Sequence, residues 1–175
     1  MVDFIIIDSK DDCKDFRPIV NGFENSTILI NPSKSKVRAL LKQSTNDIVL
    51  SGHGDEKGLY NKDWNGYVIG SGDLDLLRNR NVVGIWCYAG NFADRYNLHG
   101  FFTSMFISNI EEANYFNFDA TPDIITSENI WFSTMVNELL RKQVPYSQWV
   151  DILQKNAHTQ HPFVRFNYEA LAYYE

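Results

Sequence analysis

The stretch Thr27-Ile28-Leu29-Ile30-Asn31-Pro32-Ser33-Lys34-Ser35-Lys36-Val37-Arg38-Ala39-Leu40-Leu41-Lys42, followed after a short break by Asp47-Ile48-Val49-Leu50, decides the fold. Its two ends are short, aliphatic runs rich in β-branched residues and without polar alternation. Such runs fit strands buried on both faces, as in a parallel sheet covered by helices. Between them Ser33 or Ser35 can cap a helix, and Val37, Leu40 and Leu41 fall on one helical face. Strand, helix and strand in this order make one βαβ unit, because parallel neighbours need a crossover.

Working outward, Phe4-Ile5-Ile6-Ile7 and Val82-Val83-Gly84-Ile85-Trp86 read as two further strands of the same kind. The stretch from Phe16 to Phe23 reads as a short helix with Pro18 near its start. Asn65-Gly66 is a tight-turn dipeptide, which predicts a hairpin of Gly58–Tyr60 against Tyr67–Ile69. A short helix is expected from Asp73 to Arg78. Cys87 to Leu98 reads as a loop or helix start, and a helix is expected from Gly100 or Thr103 to Ala113. Asn114 to Ser127 reads as a long loop, of the sort that often carries function. A helix capped by Ser127 should run to Lys142, and another from Tyr146 to Asn156. Pro162 to Tyr168 alternates like an edge strand. The expected architecture is a single domain over residues 1–175, an α/β three-layer sandwich with a mostly parallel sheet.

Composition excludes several classes. With 44% hydrophobic and 22% charged residues, wholesale disorder is ruled out. The net charge is −6 and the 16 basic residues form no run, which argues against nucleic acid and against a polybasic membrane patch. Cys13 and Cys87 cannot make a disulfide framework. The chain enters Val2-Asp3-Phe4-Ile5-Ile6-Ile7 without a basic leader, and no apolar stretch reaches about 18 residues. The expectation is a soluble, cytoplasmic protein.

Ligands of open parallel sheets bind beyond the carboxyl ends of the strands. There the sequence puts Asp8, Ser9 and Lys10, then Ser51-Gly52-His53-Gly54, then Cys87-Tyr88-Ala89-Gly90. A histidine and a cysteine thus end two strands at one sheet edge. A thiolate is a nucleophile, and a neighbouring imidazole can activate it or protonate a leaving amine. The amides of Gly54 and Cys87 can point at one oxyanion. Taken singly, a cysteine after a buried strand is more often a small core hydrophobe, and a histidine between glycines is often a turn residue. Their joint placement favours the chemical reading.

Ile48-Val49-Leu50-Ser51-Gly52-His53-Gly54 resembles the histidine motif of the caspase-like cysteine peptidases, the superfamily of caspases, metacaspases, clostripain and gingipain. Val82-Val83-Gly84-Ile85-Trp86-Cys87-Tyr88-Ala89-Gly90 resembles its cysteine motif. The resemblance implies a caspase-like fold, a Cys87–His53 dyad, no catalytic metal or cofactor, and hydrolysis of peptide bonds. The partners it implies are a peptide or protein substrate, a regulatory partner or activating ligand, and a homodimer. Members commonly carry an acidic or amide residue two positions before the cysteine, where this chain has Ile85. Lys10, Asp11 and Asp12, after the first strand, stand where such pockets often recruit a residue, or form a solvated charged turn; Ser9 and Lys10 are the candidates there for binding substrate, with Ile85 and Asp94. Asp94 lies in the segment Asn91 to Gly100, which can contact substrate, and Asp94 can also orient His53.

Three rivals stand beside this reading. His158-Thr159-Gln160-His161, with His99 and Cys87, carries a weak zinc-like signal. Ser51-Gly52-His53-Gly54 and Gly70-Ser71-Gly72 are glycine-rich but match no phosphate-binding fingerprint. The serious competitor is the same fold binding a peptide, a small signalling ligand or a partner without cleavage. Alkylation separates it, because a reactive Cys87 labels faster than Cys13.

Overall fold

The apolar runs form strands whose alternate side chains enter two different cores. In a computed structural model describing residues 1–8 and 11–175, without the side chains of Asp11 and Asp12, the strands are β1 (Val2–Ile6), β2 (Ile28–Ile30), β3 (Asp47–Ser51), β7 (Val82–Ile85), β8 (Gly100–Phe102) and β9 (Ala172–Tyr174). They make one six-stranded sheet in the order β2-β1-β3-β7-β8-β9, parallel except for β9. Phe4, Ile6, Val49, Val83 and Ile85 face one core, whereas Ile5, Ile7, Ile48, Leu50 and Val82 face the other. With both faces buried, neither can be polar, and this is why the runs lack alternation.

The first core is closed by the helices α5 (Pro122–Arg141), α6 (Trp149–Lys155) and α7 (Pro162–Glu169), with a 3₁₀ turn at Arg17–Val20. The second is closed by α2 (Lys34–Gln43) and α3 (Ala89–Tyr96). A small antiparallel sheet of β4 (Gly54–Asp55), β5 (Gly58–Tyr60) and β6 (Tyr67–Gly70) lies on that same side. The architecture is therefore α/β, with a mostly parallel central sheet between two covering layers.

Several elements differ from the expectations. Residues 16–23 hold only the 3₁₀ turn, because Pro18 and Gly22 leave too little chain for a helix. Ser71–Leu76, also 3₁₀, replaces the helix expected over 73–78. Residues 100–102 are a strand rather than a helix start. Gly100, at φ 131°, lies so close to β7 that an added Cβ would sit 2.1 Å from the Val82 carbonyl oxygen. The helix expected to end at Ala113 is instead the short α4 (Ile110–Tyr115), capped by the Asn109 side chain. The stretch 114–127 is not one long loop, since Thr121 caps α5 and Pro122 opens it. Residues 162–168 are helical. Phe163, Val164, Asn167 and Tyr168 are buried with a helical period, and the edge strand comes later, at Ala172–Tyr174.

Strand order reverses beside β1. The chain leaves β1 for β2 on one side and returns as β3 on the other. The connection after β1 packs into the first core through Phe16 and Ile19, while the excursion after β3 packs into the second through Leu59, Val68 and Ile69. Diverging connections leave a crevice beyond the strand ends, the usual ligand position in open α/β sheets.

Candidate active site

The site is built on the β3–β7 ladder. Ser51 pairs with Ile85 in parallel register, and the Gly52 amide donates to the Ile85 carbonyl at 3.1 Å. Side chains alternate along a strand, so residues two positions beyond a pair point to the same face as that pair. For β3 that residue is His53 and for β7 it is Cys87. Both line one cavity of about 20 Å³, together with Cys13, Phe16, Ile85 and Phe106.

The glycines around His53 are demanded by packing. At Gly52, φ is 152° and an added Cβ would lie 2.8 Å from Cβ and O of Ile7. At Gly54 it would lie 2.3 Å from the Trp86 ring and 2.5 Å from the Gly58 carbonyl oxygen. The glycine-rich character of this segment is therefore accounted for by the approach of β1 and Trp86, with no need of a phosphate. Gly54 and Leu59 are the non-hydrogen-bonded pair of the β4–β5 ladder, between the bonded pairs His53–Tyr60 and Asp55–Gly58. The Gly54 amide therefore points away from β5, off the free edge of the small sheet.

Trp86 ties the two candidate segments together. Its indole Nε1 donates to the Asp55 carbonyl at 3.1 Å, two residues after His53, while Cys87 follows it directly in the chain. Its own amide donates to Thr103 Oγ1 at 3.2 Å, and the Thr103 hydroxyl donates back to the Trp86 carbonyl at 2.8 Å. After Cys87 the chain turns sharply into α3. The Ala89 amide donates to the Trp86 carbonyl, and Tyr88 has φ 66° and ψ 23°, a left-handed conformation that a tyrosine rarely adopts. The Tyr88 amide donates to the Ser104 carbonyl at 3.1 Å. The Cys87 thiol is half-buried and donates to the Phe106 carbonyl at 3.6 Å.

His53 is only 8% exposed. Its outer face meets Trp64, with ring centroids 4.7 Å apart. Trp64 sits in the loop 61–66, which the Asn61 amide closes on the Gly66 carbonyl at 2.8 Å; Asn65-Gly66 is thus part of a longer loop rather than a two-residue turn. Trp64 stacks on Tyr60, and Tyr60 on Tyr67. Both tyrosine hydroxyls donate to Asp55 Oδ2, at 2.9 and 2.8 Å. Burial works to raise the Asp55 pKa, but the Lys57 amide and the two phenols outweigh it and hold the carboxyl below its ordinary value. Burial and the Asp55 charge push both phenols up. This cluster braces the loop that carries Trp64 onto the histidine.

His53 and Trp64 both border a cleft of about 730 Å³, which shares His53 and Ser108 with the small cavity. Asp15, Glu111 and Glu112 line this cleft, as do the apolar Ile110, Pro122 and Ile125. Ser108 is held by Glu112, whose carboxylate accepts from the Ser108 amide at 2.8 Å.

The structure thus brings His53, Gly54, Ile85 and Cys87 into one region. Asp94 is exposed on α3, outside the residues lining either space, and its charge acts on Tyr174. Ser9 and Lys10 lie outside the described residues. Asp8, next to them, is a structural anchor, taking Arg17 Nε at 2.7 Å and Asn31 Nδ2 at 2.6 Å. The histidines of the zinc-like signal are dispersed. His99 precedes β8, at the opposite edge of the sheet from Cys87; His158 lies 3.5 Å from Glu128, and His161 caps α7. No group of three or more potential metal ligands stands together among the described residues. Nor is any helix among them long and apolar enough to cross a membrane.

Sequence reasoning missed Trp64, Cys13 and the carboxylates of the cleft. Asn109-Ile110-Glu111-Glu112 does carry a helix-start signature that could have placed α4 and its acidic residues. Trp64 and Cys13 leave no local signal, because only the fold carries them to His53 and Cys87. No protein-family model matches the sequence, and comparison with curated proteins and with solved structures finds no match.

Proposed function

We propose that the protein is a cysteine endopeptidase of caspase-like type. The observation that carries the reading is that His53 and Cys87, 34 positions apart in the chain, line one cavity that adjoins a substrate-sized cleft. In this mechanism the Cys87 thiolate attacks the scissile carbonyl carbon. The amide of Gly54, unused by its own ladder, and that of Cys87 receive the developing oxyanion. His53 protonates the leaving amine, and water then releases the acyl group from the sulfur with His53 as base. Trp64 shields the imidazole from bulk water, which strengthens its polar interactions. No cofactor is needed for these steps. The protein acts in the cytoplasm on a peptide or protein, and restraint comes from a regulatory partner, an activating ligand or a second copy of the chain.

The cleft favours a cationic peptide side chain over an anionic one, because Asp15, Glu111 and Glu112 are on its wall. The test is a panel of fluorogenic peptides varied at P1, with the Cys87→Ala protein as control. Turnover by the native chain alone, strongest with Arg or Lys at P1, is the expected result. Absence of turnover across the panel, or equal turnover by the Cys87→Ala protein, overturns the reading.

A second reading has one specific observation in its favour. The space around the Cys87 thiol is only about 20 Å³, roughly enough for a single water, and the thiol is engaged with the Phe106 carbonyl. A domain that binds a peptide, a small signalling ligand or a partner in the larger cleft without cleaving it would have this form. Iodoacetamide labelling of Cys87 in the native protein separates the two, since a thiol that reacts no faster than Cys13 belongs to the binding module.

A further inference from the structure

Cys13 and Cys87 are the only cysteines of the chain, and they line the same small cavity. They reach it from different elements. Cys13 lies on α1 (Asp11–Lys14), a single helical turn after β1, and Cys87 on the turn between β7 and α3. Phe106 borders both, because its carbonyl accepts from the Cys87 thiol and its ring packs on Phe16, one turn beyond Cys13. The cavity measures only about 20 Å³, so the two cysteines on its wall share a confined space. Cys13 is buried and Cys87 half-buried, so Cys87 is the more accessible of the two thiols to an oxidant.

We infer that Cys13 and Cys87 are the resolving and peroxide-reactive partners of a reversible intramolecular disulfide that forms when the protein meets a hydroperoxide. The Cys87 thiolate attacks the distal peroxide oxygen. An S–O bond forms and the O–O bond breaks, and the leaving alkoxide or hydroxide takes a proton to depart as alcohol or water. The sulfur has then lost two electrons to the peroxide and is a sulfenic acid. The Cys13 thiol attacks that sulfur, the S–O bond breaks, and the hydroxyl leaves as water with the Cys13 proton. A dithiol reductant restores both thiols. α1 is bound to no sheet ladder, so it can adjust to the geometry a disulfide needs without breaking a strand pair. The device needs only two thiols and their shared cavity, so it holds whether or not the site cleaves peptides.

The test is peptide mapping under non-reducing conditions after graded hydrogen peroxide, with remaining thiols blocked by iodoacetamide. The expected result is a monomeric protein yielding a peptide pair joined through Cys13 and Cys87, which dithiothreitol separates. In Cys13→Ser the pair is absent, and Cys87 passes instead to sulfinic and sulfonic acid that dithiothreitol cannot reverse. The inference is overturned if native Cys87 over-oxidises while Cys13 still alkylates, if the only disulfides join two chains, or if neither thiol reacts. The native protein decides the matter by itself should Cys13→Ser fail to fold, and none of these readouts depends on peptidase turnover.

Discussion

His53 and Cys87 each stand two positions beyond Ser51 and Ile85, the last paired residues of neighbouring parallel strands. Because strand side chains alternate with a period of two, this equal offset turns the imidazole and the thiol to one face of the sheet. A slip of one residue in either strand would have sent one of them into the opposite core. The cavity they share follows from register, and register is set by the burial of Ile48, Leu50 and Val82 on one face and Val49, Val83 and Ile85 on the other.

Removing either member of the pair separates chemistry from folding. Cys87→Ala and His53→Ala are expected to lower peptide turnover by about 10³-fold or more while the unfolding midpoint stays within a few degrees. Iodoacetamide should label Cys87 faster than Cys13, and His53→Ala should slow the Cys87 reaction alone. Equal labelling of the two thiols in the native protein would count against a dyad.

Trp86 and Gly54 form a matched contact. Gly54→Ala drives a methyl into the indole and the Gly58 carbonyl, and should cost about 3 kcal/mol in denaturant unfolding. Trp86→Phe removes the hydrogen bond to Asp55 and should cost about 1–2 kcal/mol. Because that bond braces the strand following His53, its loss should reduce kcat more than it raises KM. Wild-type stability in Gly54→Ala would refute the contact.

Tyr88 occupies a left-handed conformation that costs a side chain roughly 1–2 kcal/mol and costs glycine little. Tyr88→Gly should therefore keep wild-type stability or raise it by up to about 1 kcal/mol. Tyr88→Val, β-branched at the same φ, should lower it. Thermal unfolding of the two variants gives the order, and a glycine variant less stable than the valine variant would mean that contacts of the tyrosine ring outweigh the backbone term.

Glu128 is a fully buried carboxyl of α5, beside the Tyr168 hydroxyl and 3.5 Å from His158. Burial raises its pKa from an ordinary 4.5 to about 7, against a smaller opposing effect of Tyr168. The folded protein therefore holds this proton where the unfolded chain has lost it. The stability it contributes is complete below about pH 4.5 and is lost as pH rises through 7, by at most about 3 kcal/mol. Glu128→Gln should remove that slope. The variant should gain stability over the native protein between pH 5 and 8, read as the difference between their denaturation midpoints. An unchanged difference across that range would mean that Glu128 ionises in the fold as it does in the unfolded chain.

Much of this was legible in the chain because it is a matter of local chemistry. Four of the parallel strands are continuous aliphatic runs, α2 has a clear amphipathic period, and the strand-ending histidine and cysteine stand next to strong signals. The errors gather where tertiary contact overrides local pattern. Gly100-Phe101-Phe102 resembles the entry to a helix until β7 offers it a ladder. Phe163 to Tyr168 alternates like a strand, yet Pro162 and the first core make it a helix.

The sequence by itself determined a parallel sheet buried on both faces and the identity of the two groups at its carboxyl edge, because burial and strand propensity act over a few neighbouring residues. Only the tertiary structure decided that β3 and β7 are neighbours in matching register, that Trp64 covers His53, and that Cys13 joins Cys87 at one cavity. Those relationships span tens of residues, and they arise from packing two cores at once, which no local pattern encodes.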